Sequence, residues 1–141
     1  MGLMNHDNAR REEQRAVMAR IEADGVCPFC PEHMPKYHTH PIEKVGQYWY
    51  VTKNAWPYDN TAYHFLFITN EHITDSSELT PEAWVELHEL QKWLVSAYVI
   101  QNGTLLLRTG DMSKTGSSVF HLHAHFIVGA DKDKPVITRV G

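Results

Sequence analysis

Only two cysteines, Cys27 and Cys30, occur in the 141 residues, so no disulfide framework holds the fold and burial must supply its stability. A chain of this length encloses a core large enough for that. No apolar stretch reaches the roughly 18 residues that cross a bilayer. The polar opening MGLMNHDNARREEQ also lacks the apolar core of a secretory signal. No membrane partner is therefore expected, and the cytoplasm is the expected compartment. The opening Met-Gly does not complete a myristoylation signal, because His6 stands where Ser or Thr is needed. Runs of Lys or Arg are missing too, and the formal net charge is -4, so the basic footprint that grips nucleic acid is absent. A small anionic ligand stays open, since only the local field matters to it. What the chain does contain is an ordinary globular balance, 43% hydrophobic and 21% charged residues.

The patterning predicts one α+β domain over residues 1–141, with a core of about 27–129 and a helical extension over 1–25. Ala9, Ala16, Met18 and Ile21 recur among charges from Asn8 to Ala23, an exposed helix that ends at Gly25. Cys27 to Gly46 is rich in proline and reads as irregular structure. Strands are expected over Gln47–Lys53 and His64–Thr69, separated by a long connection. Thr80-Pro81-Glu82 opens a long helix whose apolar stripe, Trp84, Leu87, Leu90, Trp93, Leu94 and Ala97, runs toward a stop at Asn102-Gly103. Further strands are expected over Thr104–Arg108, Val119–Val128 and, briefly, Val136–Val140. About five antiparallel strands, one long helix and an N-terminal helix follow. Trp84 and Trp93 read as core or interface residues; Trp49, Trp56 and Tyr58 have no clear assignment.

In Phe120-His121-Leu122-His123-Ala124-His125-Phe126-Ile127-Val128, histidines alternate with apolar residues, so on a strand all three imidazoles share one face while Leu122, Ala124 and Phe126 anchor the other. Neutral imidazole attacks phosphorus and exchanges protons near neutral pH, which suits nucleotidyl or phosphoryl transfer. A metal site and a plain solvated strand face are the alternatives. The preceding loop, Gly110 to Ser118, offers backbone N–H groups and hydroxyls, from Gly116, Ser117 and Ser118 among others, that can cradle phosphate oxygens. It can equally be a flexible connection. Cys27-Pro28-Phe29-Cys30 has the spacing of half a tetrahedral zinc site. A thioredoxin-like redox pair is the other reading, which Pro31 and Pro35 oppose by following closely.

The sequence HLHAHFIV, with TGSSVF before it, resembles the histidine triad family, and the resemblance covers roughly Cys27 to Gly129. Upstream, His64 in YHFLFI and His72 in NEHI resemble the family's two strand-region histidines. The resemblance implies that His123 attacks the α-phosphorus to give a nucleotidyl-histidine, that His125 and His64 support it, and that Ser118 contacts the phosphate or the leaving group. Asn54, close before Pro57, resembles the residue that holds a ribose hydroxyl, and otherwise reads as a turn residue. One departure stands out. Where part of the family carries Asn ahead of the triad loop, this chain has Arg108, which can contact phosphate or pair with Asp111.

Some triad proteins, and the related galactose-1-phosphate uridylyltransferases, pair such cysteines with two histidines that correspond here to His72 and His121. The resemblance thus implies a structural zinc on Cys27, Cys30, His72 and His121, for which His33, His38 and His40 compete. It also implies a homodimer. The function expected is a hydrolase acting at the α-phosphate of a nucleoside phosphate derivative, adenosine phosphoramidate or a dinucleoside polyphosphate. The Trp56-Pro57-Tyr58-Asp59 stretch resembles the uridylyltransferases, which makes nucleotidyl transfer the alternative. Those transferases carry Gln at the position of His125, which favours the hydrolase. A zinc-stabilised nucleotide-binding protein without turnover and a metal-dependent hydrolase are further readings.

Overall fold

The computed structural model describes residues 2–141; Met1, half of the opening Met-Gly pair, lies outside them. Five strands form one antiparallel sheet: β1 (Ile42–Val45), β2 (Trp49–Lys53), β3 (Thr61–Thr69), β4 (Thr104–Leu107) and β5 (His123–Gly129), in the order β1-β2-β3-β5-β4. Three α-helices accompany it: α1 (Glu12–Asp24), α2 (Met34–Tyr37) and α3 (Pro81–Ala97). None is long and apolar enough to cross a membrane. The expected α+β architecture is thus present.

Helix α3 starts where the sequence directs it. Pro81 occupies the first turn and the Thr80 hydroxyl accepts from Ala83 N. Its Leu87, Leu90 and Leu94 are buried against one face of the sheet, together with Trp49, Val51, Phe65, Phe67, Leu122, Ala124 and Phe126. Burying such a side chain stabilises by about 1.5–3 kcal/mol. The Trp49 indole N–H donates to Ala83 O at 2.8 Å, so that fully buried tryptophan belongs to the core. Trp93 packs at the margin of this core under Lys44, whereas Trp84 is exposed on the outer side of α3. The opposite face of the sheet carries Tyr50, Leu66, Ile68 and Met34. Because Ile68 pairs with His123 and Leu66 with His125, both imidazoles lie on this second face.

Four expectations are corrected. The stretch from Cys27 to Gly46 is not wholly irregular: it contains α2 and the edge strand β1, whose mostly exposed residues show no alternation to betray them. Helix α3 ends at Ala97, ahead of Asn102-Gly103, because Val99 adopts a positive φ of 53° and turns the chain. β5 begins at His123, not Val119. The Phe120 and Leu122 N–H groups are taken by Leu3 O and Ile73 O, and Val119 bridges to Met4, so His121 precedes the strand and is not in its row. No strand forms over Val136–Val140; that segment is mostly exposed and meets Arg108 through Thr138 and Arg139.

The β1–β2 turn is held by one side chain of α3. The Glu86 carboxylate accepts from the N–H groups of Gln47, Tyr48 and Trp49, each at 2.9 Å. A Cβ at Gly46 would lie 2.2 Å from Glu86 Oε1, so the approach requires glycine. Three charge-assisted hydrogen bonds outweigh any single contact in this hairpin. Glu86→Ala is expected to lower stability by about 2–3 kcal/mol, with Glu86→Gln costing less. Urea melts of the two variants check this, and equal losses would show that the charge plays no part.

Candidate functional site

Two clusters meet at the start of β5. The first consists of Cys27, Cys30, His72 and His121, whose ligand atoms all lie within 4.8 Å of one another. Cys27 Sγ is 3.3 Å from His121 Nδ1, Cys30 Sγ is 3.5 Å from His72 Nδ1 and 3.7 Å from His121 Nδ1, and the two Nδ1 atoms are 3.2 Å apart. A tetrahedral zinc with ordinary bond lengths separates sulfur from nitrogen by about 3.6 Å and nitrogen from nitrogen by about 3.4 Å. The four donors fit such an ion. His121 Nε2 donates to the Thr69 carbonyl at 2.7 Å, which places its lone pair on Nδ1, the atom that faces the cysteines. Burial and the neighbouring Cys27 push the Cys30 thiol up to about 12, so a metal entering the cluster displaces protons. His33, His38 and His40 are not part of it. His33 lies beside Glu32, and His38 Nε2 bonds the Thr52 hydroxyl, with His40 against the His38 ring.

The second cluster contains His64, His123 and His125, all buried. Burial holds them neutral: His64 is pushed down to about 3, His123 to about 4 and His125 well below the usual imidazole range. Their tautomers follow from the hydrogen-bond network. Tyr58 N donates to His64 Nδ1 at 3.0 Å, so the His64 proton resides on Nε2, which is 2.8 Å from His125 Nδ1. Arg108 Nη1, which can only donate, lies 3.2 Å from His125 Nε2. His123 Nδ1 donates to the His121 carbonyl at 2.7 Å, leaving Nε2 unprotonated. The Tyr58 ring stacks on His125 with a 19° tilt, and Phe29 stands edge-on to His123 at 4.9 Å.

A cavity of about 340 Å³ opens on His123 and His125. Asn54, Arg108, Gly116, Ser117 and Ser118 all line it. Asn54 Oδ1 accepts from Trp56 N, a turn contact, and its Nδ2 lies 3.3 Å from His64 Nε2. Ser117 donates its hydroxyl to Val119 O. Gly116 has a positive φ of 80°, which lets the loop fold back beside Arg108 and Arg139. Arg108 does not pair with Asp111, whose carboxylate accepts from Ser113 instead. Arg108 donates to the Tyr58 hydroxyl at 3.0 Å, to the Thr138 hydroxyl at 2.9 Å and to Arg139 O at 2.6 Å. The far end of the cavity is apolar, walled by Val17, Met18 and Ile21 of α1 and by Met34.

Sequence reasoning missed Arg10, Asn8, Thr138 and Arg139. Arg10 lies over the Tyr58 ring at 4.6 Å and donates to Trp56 O and Pro57 O, while Arg139 bonds Asn8 across the cavity mouth. The run of arginines at Arg10, Arg11, Arg15 and Arg20 hinted at the first, and no local pattern pointed to the others.

Residues 59–132 match the family described as the HIT domain. Among solved structures, the chain resembles a HIT family hydrolase from Clostridium thermocellum, with 23% identity, 79% of this chain and 96% of that chain covered, and a TM-score of 0.61. It also resembles a zinc-bound histidine triad family protein from Mycobacterium smegmatis, with 17% identity, 82% of each chain covered and a TM-score of 0.59. A third is the Plasmodium falciparum diadenosine triphosphate hydrolase, with 18% identity, 69% of this chain and 65% of that chain covered, and a TM-score of 0.54. These similarities establish a shared fold. Comparison with curated proteins gives no significant match.

Because the Cys and His donors link the loop after α1, the end of β3 and the approach to β5, removing a metal or a ligand is expected to act first on stability. Chelation and Cys27→Ser should each lower the melting temperature by several degrees, and chelating the variant should add little. Full additivity of the two effects would argue that no metal is held there.

Proposed function

This chain belongs to the HIT domain family, and from that premise we propose that it is a nucleotide hydrolase acting at the α-phosphate of a nucleoside phosphate derivative, through a covalent nucleotidyl-histidine at His123. The observation that carries this reading is the hydrogen bond from His123 Nδ1 to the His121 carbonyl, which leaves the Nε2 lone pair free to attack at the edge of the cavity. The attack forms a P–N bond as the bond to the leaving group breaks. Water then cleaves the P–N bond, releases the nucleoside monophosphate and restores the imidazole.

The neighbouring groups take complementary roles in this proposal. His64 and Arg108 bond the two nitrogens of His125 and hold its ring, and the Arg108 guanidinium faces the phosphate as a donor. The Gly116-Ser117-Ser118 loop contacts the phosphate oxygens, and Asn54 holds a ribose hydroxyl. The apolar end receives the base, adenine in the substrates expected. His121 acts through its carbonyl and as a metal ligand. Zinc is the metal proposed for Cys27, Cys30, His72 and His121. With four protein ligands it has no open position for water, so it supplies rigidity to the start of β5 and no reaction step. A homodimer in the cytoplasm completes the reading.

The test is to incubate the protein with labelled adenosine phosphoramidate, diadenosine triphosphate and a UDP-sugar. Turnover of an adenosine substrate with a labelled protein adduct is expected, and His123→Ala should lose both. Its kcat should fall by about 10³ or more. Absence of adduct and turnover with every substrate would sink the proposal. Tight nucleotide binding that survives His123→Ala, without activity in the parent, would make the chain a binding protein.

A further inference from the structure

In a chain with 17 acidic and 13 basic side chains, the lining of the cavity contains no carboxylate, whereas Arg10, Arg108 and Arg139 all reach it. None of the ion pairs among the described residues involves any of these three arginines. Arg108 is also immobilised. Its Nη2 is held by the Thr138 hydroxyl and the Arg139 carbonyl, its Nη1 by the Tyr58 hydroxyl, and its buried Nε has no partner. A fixed, unneutralised cation with a free N–H thus stands beside the reacting histidines.

We infer that Arg108, clamped by Thr138 and Arg139, is the subsite for an anionic leaving group, so that the substrates are nucleoside phosphoanhydrides and not phosphoramidates. This rests on the nucleotidyl-His123 reading. The reasoning is chemical. When His123 Nε2 bonds to the α-phosphorus of an anhydride, the P–O bond breaks and its electron pair leaves on a phosphate oxygen. That oxyanion needs no proton, and a guanidinium stabilises it by charge and hydrogen bonding. When a P–N bond breaks, the departing amine must take up a proton. A guanidinium does not release one. His125 is a poor source as well, since burial and the nearby Arg108 and Arg10 charges hold it neutral. The same positive surroundings repel the ammonium form of an amine leaving group.

The measurement is kcat/KM for diadenosine triphosphate and for adenosine phosphoramidate, which share the adenylyl group and differ in what leaves. The parent is expected to favour the anhydride. In Arg108→Asn the ratio of the two should fall about 100-fold, the scale of losing one transition-state donor, and in Arg108→Lys by less. Thr138→Val, at an exposed position that loosens the clamp without touching the histidines, should lower the ratio several-fold and serves if Arg108→Asn does not fold. A parent that prefers the phosphoramidate, or variants that lose both activities equally, would overturn the inference while leaving the His123 reading intact. No adduct and no turnover with either substrate would remove that reading and the inference with it.

Discussion

The hydrogen bond between His123 Nδ1 and the carbonyl of His121 joins the two halves of this site. On one side, the His121 ring is turned toward Cys27, Cys30 and His72 by its contact with the Thr69 carbonyl. On the other, the His123 ring is fixed in the tautomer that directs a lone pair at the cavity. A residue of the candidate metal cluster and the residue proposed as nucleophile are thus two positions apart in the chain. Displacing the chain at His121 would reorient the imidazole that the proposed chemistry needs. The rest of the site extends this logic, because its imidazoles are buried and neutral, and His64 and His123 are each given one tautomer by a backbone group that cannot reverse its own role. Tyr58 N can only donate, so the His64 proton is set on Nε2, against His125.

Much of the fold was readable where side-chain period and local chemistry agree. The Thr80-Pro81 start of α3 and its leucine stripe, the strands expected over Gln47–Lys53 and His64–Thr69, which the structure places at Trp49–Lys53 and Thr61–Thr69, and the apolar alternation of Leu122, Ala124 and Phe126 all follow from residues a few positions apart. The errors fell where tertiary partners override such signals. Phe120 and Leu122 alternate like strand residues, but their N–H groups bond Leu3 and Ile73, so the histidine row breaks after His121. The two ends of the apparent row therefore belong to different clusters. β1 escaped notice because an exposed edge strand buries too little to leave a pattern.

For the candidate site, the residues singled out by resemblance do converge in space: His64, His123 and His125 in one cluster, Cys27, Cys30, His72 and His121 in the other. What no local pattern conveyed was the contribution of the end segments. Arg10 reaches Trp56 and Pro57, and Arg139 reaches Arg108 and Asn8, over distances in sequence that carry no periodic signal. The electrostatic character of the cavity comes largely from these arginines. It could not be inferred from a chain whose overall charge has the opposite sign.

The contact between Asn8 and Arg139 spans 131 positions of the chain. The C-terminal end of that contact is held by a few hydrogen bonds from exposed residues and buries little apolar surface. The clamp on Arg108 is therefore expected to open before the sheet or α3 yields. Loss of competence on gentle warming would then precede any change in the spectroscopic signature of folded structure. Heat capacity and circular dichroism would report an intact protein at temperatures where its cavity has already lost one wall.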